Sequence, residues 1–98
     1  MSEFIRFSQT EEQVDAGVET LESRGYEIVL HNDDYNTFDH VIAMLVRYCE
    51  HTEEQAHQCA LIVHFKGKCS VKRGDYDDLR PRCEALLQSG LTATIEEA

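Results

Sequence analysis

The sequence predicts an α+β fold, a small sandwich in which three helices pack on one face of a three-stranded antiparallel sheet. Three observations support this prediction. Short segments rich in β-branched or aromatic residues and longer segments with apolar residues at helical spacing follow each other in the order β-α-α-β-α-β. The chain has 98 residues, about the size of one domain. Its 42% hydrophobic and 29% charged residues are typical of a globular protein.

The first strand and the first helix of this fold are separated by turn-forming residues. Residues 26–30 (Tyr-Glu-Ile-Val-Leu) favour a strand. Residues 31–34 (His-Asn-Asp-Asp) favour a turn, because Asn and Asp side chains bond to their own backbone. Asn36 or Thr37 is the predicted N-cap of the helix. Its apolar face is formed by Phe38, Val41, Ile42, Leu45, Tyr48 and Cys49.

A capping box, Thr52 with Gln55, predicts the start of the second helix. We expect this helix to continue to about Phe65 and to end at Gly67. One apolar stripe along it consists of Ala56, Cys59, Ala60 and Val63.

The remaining elements are shorter. Residues 68–72 (Lys-Cys-Ser-Val-Lys) alternate in polarity and predict an edge strand with its lysines on the outer side. A third helix is expected at about residues 77–88, and Pro81 is compatible with it only in the first turn. Ser89 and Gly90 end that helix, and residues 91–95 alternate as a final strand.

Residues 1–25 are predicted to be an acidic N-terminal extension, flexible or marginally helical, in front of a domain of residues 26–98. Ser8 and Glu11 have capping-box spacing, but the apolar stripe that follows is thin. Residues 1–34 contain nine acidic and two basic residues, a net charge of −7.

Charge and composition exclude several functions. The net charge of −10 at pH 7 argues against nucleic-acid binding, which needs a basic surface. No apolar stretch is long enough to span a membrane and no secretory signal is recognised, so we expect a cytoplasmic location. We also expect a monomer. In a reducing cytoplasm the four cysteines are expected to be small buried hydrophobic residues.

Four residues are of the types that bind zinc, namely Cys49, His51, His57 and Cys59, but their spacing matches no common zinc finger. We expect no metal, no cofactor and no enzymatic activity.

A cluster of basic residues between positions 66 and 82 stands out in a chain whose net charge is negative. Two interpretations of this cluster are open. It is either a solvated edge that discourages strand pairing or a docking surface for an acidic partner. The residues are Lys66, Lys68, Lys72, Arg73, Arg80 and Arg82.

Two motifs carry a family resemblance. One is the turn at residues 32–34 (Asn-Asp-Asp), and the other is the segment 63–68 (Val-His-Phe-Lys-Gly-Lys). Together they resemble the hallmarks of the ClpS family of protease adaptors, over about residues 26–69. The resemblance implies a non-catalytic α+β module that binds proteins whose first residue is Leu, Phe, Tyr or Trp. It also implies delivery of these N-degron substrates to a ClpA- or ClpC-type AAA+ unfoldase of a Clp protease.

By the same resemblance, Asn32, Asp33 and His64 would hold the α-amino group of the substrate. That group is a compact cation with three donors, so a carboxylate, an amide oxygen and an unprotonated imidazole nitrogen suit it. Ala60 lies four residues before His64 and so shares its helical face. The substrate backbone and first side chain would be contacted by Asn36, Phe38, Val41, Ala60, Val63 and Leu91. The family usually has Met where this chain has Phe38 and Ala60, and often Thr where it has Asn36.

The alternative is a non-catalytic interaction module of the same fold. It would dock an acidic partner through Lys68, Lys72 and Arg73 and recognise no N-degron.

Overall fold

A computed structural model describes residues 25–98 of the chain. The predicted element order is confirmed. The elements are β1 (Tyr26–His31), α1 (Phe38–Cys49), α2 (Glu53–Lys66), β2 (Lys68–Gly74), α3 (Tyr76–Gln88) and β3 (Thr92–Glu97). The predicted N-terminal extension, with its capping box, lies outside the described residues except for Gly25.

The sheet is antiparallel with the order β2-β1-β3, so β1 is the central strand and β2 lies at an edge, as predicted. Ile28 and Leu30 of β1 are fully buried beneath the helices. The helices contribute Leu45, Leu79 and Leu86 to the same core. Because apolar side chains two residues apart on a strand share a face, Ile28 and Leu30 present one apolar surface to the core that the helices share.

The helix ends follow the predicted capping chemistry. Thr37 is the N-cap of α1, where its side chain accepts a hydrogen bond from the N–H of His40. Thr52 and Gln55 form the complete capping box of α2. Gly67 ends α2 with φ of 95°, in the left-handed region that favours glycine.

The prediction that the lysines of β2 lie on the outer side is wrong for Lys72. Ile28 pairs with Lys72 and Val29 pairs with Ser70, so Val71 is an extra residue that forms a β-bulge. The bulge interrupts the alternation of side chains and places Lys72 opposite the buried Ile28. Its side chain is only 22% exposed, and its Nζ lies 3.4 Å from Oε1 of Glu50 after α1.

The predicted position of Pro81 in the first turn of the third helix is also wrong. The helix α3 begins at Tyr76, which makes Pro81 its sixth residue. Asp75 fixes this early start, because its side chain accepts a hydrogen bond of 2.9 Å from the N–H of Asp78. Because proline has no backbone N–H, the helix lacks the hydrogen bond that residue 81 would otherwise donate to the preceding turn. The early start also brings Leu79 into the core, where it is fully buried.

The final strand begins one residue later than predicted and extends to Glu97. Leu91 belongs instead to the turn that closes α3, since its N–H donates to the carbonyl of Leu86 at 3.1 Å. The side chain of Leu91 is nevertheless buried.

All four cysteines are free thiols. Cys49 and Cys83 are buried, as predicted, whereas Cys59 and Cys69 are half-buried. Burial raises the pKa of the Cys49 thiol to about 11. Burial, with Cys69 close by, raises the pKa of the Cys59 thiol to about 12. Thiols with such pKa values are almost entirely protonated near neutral pH and are poor nucleophiles.

Within residues 25–98, no helix is both long and apolar enough to cross a membrane.

Candidate functional site

A cavity of about 320 Å³ opens where the end of β1, the start of α1 and the last turns of α2 meet. The turn between α3 and β3 closes its far side. Its lining residues are Leu30, His31, Asn32, Asp33, Asp34, Asn36, Phe38, Val41, Ala60, Val63, His64 and Leu91.

The structure brings all nine residues named from the sequence to this one cavity. They come from four separate parts of the chain, between residues 32 and 91. Leu30, His31 and Asp34 also line the cavity and were not singled out from the sequence. Leu30 and His31 directly precede the Asn-Asp-Asp turn and Asp34 is its last residue, which is the signal that points to them.

Asp33 organises the polar end of the cavity. Its Oδ1 accepts hydrogen bonds from the N–H groups of Tyr35 at 2.9 Å and Asn36 at 3.0 Å. Its Oδ2 accepts one from Nδ2 of Asn36 at 2.9 Å. Partial burial acts to raise the pKa of Asp33, but these three hydrogen bonds outweigh it and hold the pKa below the ordinary value for aspartate. The group is therefore a carboxylate at neutral pH.

The Asn-Asp-Asp turn is fixed to the end of α2. The N–H of Asn32 donates to the carbonyl of Gly67 at 2.9 Å. This bond connects the two sequence motifs directly, because Gly67 belongs to the segment that contains His64. The side chains of both motifs therefore meet at the same mouth of the cavity.

The apolar wall of the cavity comes mainly from α2 and from the turn before β3. Ala60 is 2% exposed and Leu91 is 4% exposed, and Val63 is also buried. Val41 contributes from α1, where it packs against the core. Ala60 has the shortest side chain among the lining residues.

His64 lies at the mouth, between two phenylalanine rings. Its ring centroid is 5.5 Å from that of Phe38 and 4.8 Å from that of Phe65, both in edge-to-face geometry. Among residues 25–98, neither nitrogen of His64 takes part in a hydrogen bond. No described residue therefore competes with a ligand for either nitrogen.

The arrangement suits a ligand with a cation next to an apolar group. The polar end provides the Asp33 carboxylate, the Asn32 amide and the His64 imidazole, all able to accept hydrogen bonds. The apolar wall lies directly behind them. Among the described residues that line the cavity, no catalytic nucleophile is paired with a base.

The zinc-ligand types noted in the sequence have other surroundings. In the described part of the chain, no three His, Cys, Asp or Glu side chains are grouped so that they could hold a metal ion. Nε2 of His51 bonds to the carbonyl of Val71 at 2.6 Å, and Cys49 lies in the core.

Comparison with known proteins finds one family. Residues 21–94 match the family model described as "ATP-dependent Clp protease adaptor protein ClpS". The chain is 36% identical over 90 residues to the chloroplastic Clp protease adapter CLPS1 of Chlamydomonas reinhardtii, covering 89% of this chain and 56% of that protein. It is 37% identical over 68 residues to the adapter ClpS of Thermosynechococcus vestitus, covering 68% of this chain and 72% of that protein. The chain thus spans little more than half of the algal relative.

A solved structure has the same fold. It is Agrobacterium tumefaciens ClpS2 bound to L-phenylalaninamide, with a TM-score of 0.70 over 78% of this chain and 99% of that chain. The two sequences are 23% identical, so this likeness concerns the fold.

Proposed function

The chain belongs to the ClpS family of ATP-dependent Clp protease adaptors, and from that premise we propose that it recognises proteins by an N-terminal Leu, Phe, Tyr or Trp. The observation that carries the proposal is the meeting of hydrogen-bond acceptors and an apolar cavity at one mouth. An N-terminal residue combines a cation with a side chain on adjacent atoms, so it matches both parts at once.

Asn32, Asp33 and His64 are proposed to hold the α-amino group. Three of the roughly four acceptor positions of the Asp33 carboxylate are filled by internal hydrogen bonds. The remaining position suits one N–H of the ammonium group. A neutral imidazole nitrogen of His64 and the amide oxygen of Asn32 suit the other two.

Phe38, Val41, Ala60, Val63 and Leu91 are proposed to surround the first side chain. Agrobacterium tumefaciens ClpS2 is described as bound to L-phenylalaninamide. That molecule has an α-amino group next to an aromatic side chain, the two features that would suit the two parts of this cavity. Burying an aromatic or aliphatic side chain here provides about 2 kcal/mol of binding free energy.

We further propose that the chain is non-catalytic and hands its substrates to a ClpA- or ClpC-type AAA+ unfoldase. The division into an extension, residues 1–25, and an adaptor domain, residues 26–98, is part of this proposal. The cytoplasmic location stays a prediction, since one relative is named as chloroplastic.

The alternative, docking of an acidic partner through Lys68, Lys72 and Arg73, receives less support. Lys72 is paired with Glu50, and Nε of Arg73 lies 3.4 Å from Oε1 of Glu27. These internal pairs reduce the positive charge that the edge strand offers to a partner.

Peptides that begin with Phe or with Ser, and are otherwise identical, test the proposal. The Phe peptide should bind at least about thirtyfold more tightly, corresponding to about 2 kcal/mol. Val63→Ala should reduce this ratio, whereas Ile62→Ala should not, because Ile62 adjoins Val63 on α2 but does not line the cavity. Equal affinities for the two peptides would contradict N-degron recognition.

A further inference from the structure

The side chain of Asn36 joins two parts of the cavity that are far apart in the chain. Its Nδ2 donates one hydrogen bond to Oδ2 of Asp33 at 2.9 Å and another to the carbonyl of Gly90, also at 2.9 Å. Asp33 belongs to the polar end, whereas Gly90 immediately precedes Leu91 of the apolar wall. One amide group thus contacts both halves of the site.

Chemistry fixes the orientation of this amide. Both neighbours, a carboxylate oxygen and a backbone carbonyl, are acceptors without a proton to give. Rotating the amide by 180° would exchange its nitrogen and oxygen. The oxygen, which has no proton to donate, would then lie next to both acceptors. Both N–H groups of the side chain are therefore used internally, and only the oxygen of Asn36 remains for a ligand.

A second side chain at the start of α1 fastens the same turn. Nε2 of His40 lies 2.8 Å from the carbonyl of Ser89, so Asn36 and His40 hold two successive carbonyl groups. Gly90 has φ of 93°, in the left-handed region that favours glycine. The next residue is Leu91, whose buried side chain closes the cavity.

We propose that Asn36 is a positioning residue that couples the two halves of the site. It holds the Asp33 carboxylate towards the substrate's α-amino group and fastens the Gly90 turn so that Leu91 closes the side-chain cavity. This inference rests on the proposed function for its substrate. It goes beyond the expected role of Asn36 as a direct contact of the substrate backbone, for which only its amide oxygen remains.

The hydrogen bond from Asn36 to Asp33 is tested first, in the protein without peptide. The carboxyl pKa of Asp33 is measured by NMR, along with the titrations of His31, Asp34 and His64, which line the same cavity. Asn36→Ala should raise the pKa of Asp33, because it removes one of the hydrogen bonds to the charged form. His40→Ala is the matched control and should leave that pKa unchanged. An unchanged pKa in Asn36→Ala would overturn the proposal.

Peptide binding then distinguishes a positioning role of Asn36 from a purely electrostatic effect of charge near the substrate's α-amino group. Asn36→Asp removes both donors and adds a negative charge beside Asp33. Thr37→Asp adds the same charge one residue later, and Asp is also a good N-cap. Positioning predicts that Asn36→Asp weakens binding of a Phe peptide by at least about tenfold. Thr37→Asp should leave binding unchanged or stronger. Stronger binding by both variants would contradict positioning.

Two ratios show the coupling directly. Asn36→Ala should lower both the preference for a free over an acetylated α-amino group and the preference for Phe over Ser. His40→Ala should lower only the preference for Phe over Ser, since His40 contacts the turn and not Asp33.

If Asn36→Ala does not fold, Asn36→Thr provides the comparison, because the single threonine hydroxyl can replace only one of the two hydrogen bonds. Unchanged ratios in a folded variant would contradict the coupling. Failure of the wild type to bind a Phe peptide would instead contradict the proposed function, and the pKa of Asp33 would still test its bond to Asn36.

Discussion

Phe38 and His64 face each other across the mouth of the cavity, with ring centroids 5.5 Å apart and ring planes at 86°. Phe38 begins α1 and His64 lies near the end of α2, so this contact joins the two helices that frame the opening. It holds the imidazole by packing, and no group within residues 25–98 forms a hydrogen bond with its nitrogens. Both rings line the same cavity as Asp33.

Acetylation of the peptide's first residue should weaken binding by at least about a hundredfold. It removes the positive charge and leaves the acceptors unpaired once the bound peptide covers them, at about 1–3 kcal/mol for each group. Asp33→Asn and His64→Ala should each reproduce much of this loss in a fluorescence-anisotropy titration. His57→Ala is the control for His64→Ala, because His57 lies on the same helix and does not line the cavity. Equal affinity for acetylated and free peptides would exclude recognition of the substrate's α-amino group.

Ala60→Met should shift the preference of the cavity from aromatic residues towards Leu. The short side chain of Ala60 occupies little space in the cavity that it lines, and Phe38 offers a ring for edge-to-face packing worth about 0.5–1.5 kcal/mol. A methionine at position 60 would occupy more of the cavity and favour a smaller side chain. The measurement is the ratio of affinities for Leu and Phe peptides, with Ala43→Met on the outer side of α1 as the control. An unchanged ratio would show that residue 60 does not contact the ligand.

Asp33→Asn should destabilise the free protein at about pH 7 and have little effect at about pH 2.5. The pKa of Asp33 is lowered in the folded state, so its stabilising contribution is present above the unfolded pKa. That contribution is lost as the pH falls through the lower folded pKa. Denaturant unfolding of both proteins at each pH measures the difference. A difference that persists at the lower pH would assign the effect to packing rather than to the carboxylate.

Removal of residues 1–24 should leave peptide affinity nearly unchanged and abolish delivery of substrates to the protease. The cavity and the six elements that frame it all lie within residues 25–98. Engagement of the unfoldase by the preceding segment is an expectation from the family resemblance. Degradation of a Phe-initiated protein by a reconstituted Clp protease compares the two forms. Equal degradation rates would contradict this role, and a large loss of peptide affinity would show that the segment contributes to binding.

The sequence by itself determined the order of elements and most of their boundaries, because these depend on local chemistry. Thr37, Thr52 and Gly67 cap helices through interactions within a few residues, and a pattern of residue types is enough to identify them. The two motifs were equally local, so the resemblance and the nine candidate site residues could be read before any coordinates. What each of the nine does stays a prediction.

Only the tertiary structure decided features that depend on distant partners. The bulge at Val71 turned Lys72 towards Glu50, and the Asp75 cap together with burial of Leu79 moved the start of α3 ahead of Pro81. The bond from Asn36 to Gly90 spans 54 positions of sequence, which no periodicity can signal. Patterns along a chain report neighbours three or four residues away, whereas the shape of a cavity depends on which surfaces the whole chain buries against each other.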